Sequence, residues 1–331
     1  MKILKKIISI ILRISVSIIL LILLFKFVDK KNLIEIIKNA DKPLLLIAFL
    51  IYFFSYALCL FRWNMLLKAA QIRLPFKRVI ISTAGGAFFS LFLPSTIGGD
   101  LVRSIDLAVH TKKTHEVVAT VLLDRLSGYI GLVAVALLAV LFGWRFIQDN
   151  TGALISVAVI TVILAAVLLI LFNRFVYSKI NKLLHSSQTG KIREFIKGLH
   201  QEVHIFRHNT DILVNNLFLS LVIQIISPLT FYIIALSIGI KINMVYFFIF
   251  IPIIGAIALL PISLGGLGLR DATTVFFFAK AGVSKDLAFA MSLVSFFFML
   301  ILGIIGGIIY AITVRHRRIQ YHKPQHVHPH S

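Results

Sequence analysis

Charged side chains stand in this sequence where long apolar stretches ought to exclude them. Asp100, Arg103 and Asp106 close one apolar run, Asp124 and Arg125 interrupt a second, and Arg270 and Asp271 close a third. A charge at the centre of a bilayer costs about 2.5–3.5 kcal/mol even on the lenient insertion scale, so such groups need partners and usually serve a purpose. A guanidinium stays charged and grips phosphate oxygens in a fork, which suits a lipid phosphodiester. Arg103 and Arg270 belong to one phrase said twice. Pro94-Ser95-Thr96-Ile97-Gly98-Gly99-Asp100-Leu101-Val102-Arg103 returns as Pro261-Ile262-Ser263-Leu264-Gly265-Gly266-Leu267-Gly268-Leu269-Arg270. Ser95, Thr96 and Ser263 add hydroxyl donors. Pro94, Pro261 and the pairs Gly98-Gly99 and Gly265-Gly266 break the helices, so that freed backbone N–H groups turn partial positive charge toward an anion. The competing reading is internal neutralisation, pairing Arg103 with Asp106 or Asp100, Arg270 with Asp271, and Asp124 with Arg125. The acids also stand as candidates for proton coupling.

The elements that position these groups follow from composition. The chain has 331 residues, of which 59% are hydrophobic and only 14% charged, with a mean hydropathy of +0.97. Soluble domains carry about a quarter charged residues, and continuous apolar runs mark membrane helices rather than the alternating strands of a barrel. The fold class expected is an all-α polytopic membrane protein. Its net charge of +21 is gathered in short loops, which reads as topology and anionic headgroups rather than nucleic acid. The single cysteine, Cys59, excludes an internal disulfide and a thiolate metal cluster. No Walker loop, nucleophile elbow or dinucleotide fingerprint occurs, so no cofactor is expected. His200, His204 and His208 lack a zinc motif, and the histidines of the tail 316–331 read as solvated, so no metal is expected either.

Spans are expected at 7–28, 43–61, 117–142, 153–173, 213–239 and 286–313, with a short amphipathic helix at 29–42. Basic flanks place both termini in the cytoplasm and make 62–78 (Arg62, Lys68, Arg73, Lys77, Arg78) and 174–212 cytoplasmic loops. Residues 143–152 form a neutral outer loop. The stretch 79–116 is basic at both ends, which a re-entrant hairpin explains, and 240–285 reads as a second hairpin entered from the other side. The total is six spans plus two hairpins, or eight if each long hairpin is counted. Repeat one, about 43–142, and repeat two, about 213–313, lie near 167 residues apart with opposite orientation, an inverted-topology repeat within an integral membrane domain of 1–315. Gly303, Gly306 and Gly307 allow close helix packing in the last span.

The phrases FLPSTIGGDLVRS (92–104), LLDRLSG (122–128) and LLPISLGGLGLRDA (259–272) resemble, in this order and spacing, the flippase-like membrane domain of lysylphosphatidylglycerol synthases. The resemblance covers residues 5 to 315 or so. It implies motif roles for Pro94, Gly98, Gly99, Asp100, Arg103, Asp124, Arg125, Pro261, Gly265, Gly266, Gly268, Arg270 and Asp271. Fused members carry a soluble aminoacyltransferase domain that charges phosphatidylglycerol with lysine, and their membrane part moves the product lipid. This sequence ends about eighteen residues after its last span, so transfer by this chain alone is not expected. Two functions are compatible with the resemblance. One is a translocase for a phospholipid or polyprenyl-phosphate-linked lipid in a prokaryotic plasma membrane. The other is a membrane subunit of an aminoacyl or glycosyl transferase with a separate catalytic partner.

Overall fold

A computed structural model describes residues 29–93, 97–172, 210–260, 263 and 265–321, with a few isolated positions between 15 and 26. The expected span 7–28, the loop 174–212 and the histidine tail beyond residue 321 lie essentially outside the described residues. So do Pro94, Ser95, Thr96 and Pro261.

Every described element is helical. Helix α1 (Lys30–Lys38) is capped by Asp29, whose carboxylate accepts from the Lys31 amide at 2.9 Å. It is amphipathic, burying Leu33 and exposing Ile34 and Ile37. There follow α2 (Lys42–Ala69), α3 (Phe76–Ser90), α4 (Ile97–Thr111), α5 (Thr114–Phe142), a single turn α6 (Trp144–Ile147) and α7 (Thr151–Phe172). The second half holds α8 (Thr210–Ser237), α9 (Val245–Ala258), α10 (Leu269–Lys280) and α11 (Lys285–Tyr321). Five of these helices, α2, α5, α7, α8 and α11, are long and apolar enough to cross a bilayer. Bulky side chains such as Phe53, Phe54, Phe142, Ile163, Phe218 and Ile308 are exposed along them, as a lipid-facing surface requires. The protein is a multi-pass helical membrane protein.

Two departures from the expected spans bear on where the charges sit. The segment 62–78 is not simply a loop. Helix α2 runs on to Ala69 because Trp63, Leu66 and Leu67 continue its buried face, and α3 begins at Phe76. Arg62 and Arg78 are therefore buried helix residues, not loop cations. Helix α5 also starts earlier, at Thr114. At 1.5 Å per residue, Asp124 stands about 15 Å along a helix about 43 Å long, deeper than a start at 117 would put it.

The described helices include four in succession before α6 and four after α7. In the sets α2–α5 and α8–α11, the first phrase begins between α3 and α4, but Gly98 and Gly99 lie in the first turn of α4 and do not break a helix as expected, whereas Gly265-Gly266 fall between α9 and α10. The two sets pack on each other in matching fashion: α2 packs on α8, α3 on α11, and α9 on α5, while within each set the second helix packs on the third and the third on the fourth. Exchanging the two sets reproduces these pairings, but not the close packing of α8 on α5, whose counterpart between α2 and α11 is slight.

Small residues make the closest approaches. A Cβ on Gly99 would fall 2.3 Å from the Gly86 carbonyl oxygen, so the arms α3 and α4 meet backbone to backbone. The stripe Gly303, Gly306 and Gly307 lets α11 press on Leu91, Ala84 and Phe88 of α3.

Candidate functional site

Five charged residues from α2, α4 and α5 form one alternating ladder inside the bundle. Arg62 of α2 donates from Nε to Asp124 Oδ1 of α5 at 2.8 Å. The other oxygen of Asp124 accepts from Arg103 Nη2 of α4 at 2.9 Å. Arg103 Nε lies 3.0 Å from Asp100 Oδ1, one helical turn earlier. Asp100 Oδ2 accepts from Arg125 Nε of α5. The order is Arg62, Asp124, Arg103, Asp100, Arg125, so each carboxylate bridges two guanidinium groups.

The ladder has a closed end and an open one. Arg62 also donates to Ser220 Oγ of α8 at 2.9 Å, and its backbone carbonyl accepts from Asn216 at 3.4 Å. Gly128 keeps α5 clear of the Arg62 guanidinium, since a Cβ there would sit 3.4 Å from Nη1. Arg103 lies over the Trp63 ring, 4.3 Å from its centroid, and Trp63 is fixed by an indole N–H to Thr120 Oγ at 3.1 Å. The side chains of Arg62, Asp124, Arg103 and Asp100 are at most 10% exposed, whereas that of Arg125 is 32% exposed. Beside this end, α4 turns Leu101, Ile105 and Val109 outward, an exposed apolar strip at helical spacing.

A second, smaller pair flanks the first. Arg78 Nη2 of α3 meets Asp106 Oδ1 at 2.7 Å, and Tyr310 of α11 reaches the same oxygen at 3.4 Å. Thus Asp106 belongs to Arg78, and Arg103 uses Asp100 and Asp124 instead.

The second phrase is built differently. Gly265, Gly266 and Gly268 have φ of +53°, +80° and +78°, a left-handed path that side chains with a Cβ resist. Asp271 then caps α10 by accepting from the Gly268 amide at 2.9 Å. Its other oxygen accepts from Ser292 Oγ of α11 and from Arg270 Nη2 at 3.1 Å. Arg270 also faces the Phe296 ring at 5.4 Å. Here one guanidinium meets one carboxylate, and the charges cancel. Ser263 Oγ is fully buried with no hydrogen-bond partner among the described residues, and the same holds for Arg270 Nε.

The two phrases touch. The Gly265 amide donates to the Leu93 carbonyl at 3.3 Å, and a Cβ on Gly265 would lie 3.1 Å from the Ser90 carbonyl oxygen. Of the residues singled out in the sequence, Asp100, Arg103, Asp124 and Arg125 thus come together in one ladder, with Gly98 and Gly99 buried at the start of α4. Arg270, Asp271 and Ser263 stand in the neighbouring phrase, apart from the ladder's ion pairs. Asp124 does not pair with its neighbour Arg125: its two oxygens go to Arg62 and Arg103, and Arg125 turns to Asp100. Sequence reasoning missed Arg62, Ser220 and Trp63. The signal for Arg62 was present: Trp63, Leu66 and Leu67 follow it at helical spacing, which marks continuing helix rather than loop.

Among the described residues no group of three or more His, Cys, Asp and Glu side chains is arranged to hold a metal ion.

The sequence is similar to those of known proteins over most of its length. A UPF0104 membrane protein of Pyrococcus horikoshii is 26% identical over 322 residues, covering 88% of this chain and 94% of that one. Two UPF0104 membrane proteins of Methanothermobacter thermautotrophicus are 24% and 26% identical, over 82% and 75% of this chain and 86% and 78% of theirs. Residues 10–307 match the family described as the lysylphosphatidylglycerol synthase TM region, and that span includes α1–α10, most of α11, both phrases and the whole ion ladder. The chain belongs to that family.

Proposed function

We propose that this protein is a lipid translocase. In this reading it holds the headgroup phosphate of a phospholipid or polyprenyl-phosphate-linked lipid at the paired phrases and passes it between leaflets. One observation carries the reading: Arg62, Asp124, Arg103, Asp100 and Arg125 form a continuous run of ion pairs inside the bundle, buried at the Arg62 end and partly exposed at Arg125. Charges buried inside a membrane bundle are costly even when paired, and a protein that merely scaffolds has no use for them. The exchangeable packing of the two helix sets supports the rest: α3–α4 and α9–α10 act as re-entrant hairpins of an inverted-topology repeat, and rocking of one set against the other gives alternating access. Drive would come from the lipid gradient, the membrane potential or a proton on one of the buried acids. The location is a prokaryotic plasma membrane with both termini inside.

The test is leaflet exchange of fluorescent phospholipids in proteoliposomes. Wild type is compared with Arg103→Ala, Arg270→Ala and Arg125→Gln, each first checked for monodisperse folded protein. Arg125 is the ladder residue whose neutralisation disturbs packing least, since it is partly exposed. Exchange by wild type and its loss in folded variants support translocation. A folded wild type that moves none of a broad lipid panel removes it, and directs attention to a lipid-modifying transferase with a separately encoded catalytic partner.

A further inference from the structure

Outside the ladder, the pair Arg78 and Asp106 is short of hydrogen-bond partners, and the shortfall has a definite chemical shape. Arg78 stands in the first turn of α3 and is only 6% exposed. Its Nη2 meets Asp106 Oδ1 at 2.7 Å, but Nε and Nη1 are buried with no hydrogen-bond partner among the described residues. Asp106 Oδ1 also accepts from the Tyr310 hydroxyl, while Oδ2 is buried and meets no donor among them. By contrast, Asp100, Asp124 and Asp271 each engage both oxygens. A buried donor or acceptor without a partner is costly, more so when charged, so proteins that keep such groups keep them for water or a ligand.

The position of the pair narrows the ligand. The first phrase joins α3 to α4, and Arg78 and Asp106 lie toward the opposite ends of those helices. Tyr310 stands five residues before Arg315, the first of the arginines that close the apolar run of α11. A tyrosine so placed sits at headgroup depth. On either side of Asp106 along α4, Ile105 and Val109 are exposed, an apolar surface on which acyl chains can lie. The Tyr310 ring covers the pair from α11 by occupying the space above Gly85, where a Cβ would fall 2.5 Å from a ring carbon.

We propose that Arg78 and Asp106 form a binding site for a phospholipid whose phosphate is esterified to an alcohol bearing an N–H or O–H donor, as in ethanolamine or glycerol headgroups. The phosphate accepts from the unpartnered N–H groups of Arg78, and the amine or hydroxyl two carbons away donates to Asp106 Oδ2. Movement of the Tyr310 ring off Gly85 admits the headgroup. Choline, whose nitrogen carries only carbon, satisfies Arg78 and leaves Asp106 unanswered. This site goes beyond the paired phrases of the translocase reading and holds lipid whether or not the protein moves it.

Full-length protein in maltoside micelles is offered equal amounts of phosphatidylethanolamine, its mono- and dimethylated forms, phosphatidylcholine, phosphatidylglycerol and phosphatidylpropanol, all with matched acyl chains. Retained lipid is counted by native mass spectrometry. The methylated series keeps its charge while losing N–H donors one by one. Retention is expected to hold while one N–H remains and to fall about tenfold at phosphatidylcholine, the equivalent of one charged hydrogen bond. Phosphatidylglycerol is expected to exceed phosphatidylpropanol, an anion of equal charge without hydroxyls, by a similar factor. Arg78→Gln, checked for monodisperse folded protein, is expected to lower retention of every lipid, and Asp106→Asn to shrink the ratio of ethanolamine to choline lipid. A gradual decline along the methylated series means that headgroup size is read, and overturns donor recognition. Equal retention of all the lipids means that the pair takes water alone, and retention unchanged in Arg78→Gln places the bound lipid elsewhere; either result overturns the site. The methylated series runs on wild type, so it decides the matter even if a variant fails to fold. Leaflet exchange is a separate readout, and failure here leaves the translocase reading standing.

Discussion

Arg62 Nε donates to Asp124 Oδ1 at 2.8 Å, joining α2 to α5 through a pair whose side chains are 8% and 5% exposed. Because Asp124 also holds Arg103 while Arg62 holds no other acid among the described residues, the two residues are unequal partners. Asp124→Leu strands Arg62 and takes from Arg103 one of its two carboxylates, and is expected to cost about 3–5 kcal/mol, the loss typical of a broken buried pair. Arg62→Met leaves Asp124 bound to Arg103 and costs less. The measurement is the apparent melting midpoint of each variant in detergent, and Arg62→Met melting below Asp124→Leu refutes the bridging role.

The close packing of α3 on α4 depends on two glycines in mutual contact. Gly99→Ala puts a methyl group 2.3 Å from the Gly86 carbonyl oxygen, and the arms must part. A loss of about 1–3 kcal/mol or more is expected from such overpacking. Gly255→Ala is the control, since its added Cβ meets only Leu132, at 3.8 Å. Size-exclusion profiles after graded heating should separate the two, with Gly255→Ala close to wild type.

Ser292→Ala removes a fully buried donor from Asp271. The carboxylate that caps α10 and holds Arg270 is then short of one hydrogen bond, a loss of about 1–3 kcal/mol. Amide exchange in residues 265–271 is expected to quicken while exchange in α5 stays unchanged. Equal protection in both proteins would mean that the cap is set by the glycine path alone.

Asn32→Ala breaks the bond from α1 to Asp286 at the start of α11, 2.6 Å long but exposed. Its effect is expected to stay within about 0.5 kcal/mol, as at other surface sites. A larger drop in melting midpoint would show that α1 clamps the bundle rather than resting against it.

Much of this architecture was legible in residue order. The duplicated phrase announced the two helix breaks, and the apolar runs gave α2, α5, α7, α8 and α11 to within a few residues, apart from the tails of α2 and α11. Partner choice was less legible. Arg62 and Arg78 look like ordinary loop cations because a charge count weighs residues by number and not by depth. Only the apolar spacing after Arg62 reveals that the helix continues. Asp124 beside Arg125 invites a sequence pairing like that of Arg270 with Asp271, but Asp124 is taken by Arg62 and Arg103, and Arg125 reaches Asp100, 25 residues away on another helix. Contact between the phrases runs through backbone atoms of Leu93 and Gly265, which no side-chain pattern encodes.

The two phrases hold their charges in different settings. Arg270 and Asp271 answer one another within α10 and lean on Ser292 of α11, so the second phrase is fastened locally. The ion pairs around the first tie α2 and α4 to α5, so displacing α5 breaks bonds with two neighbours at once. The charges at the first phrase therefore latch three helices together, while those at the second pin a single turn.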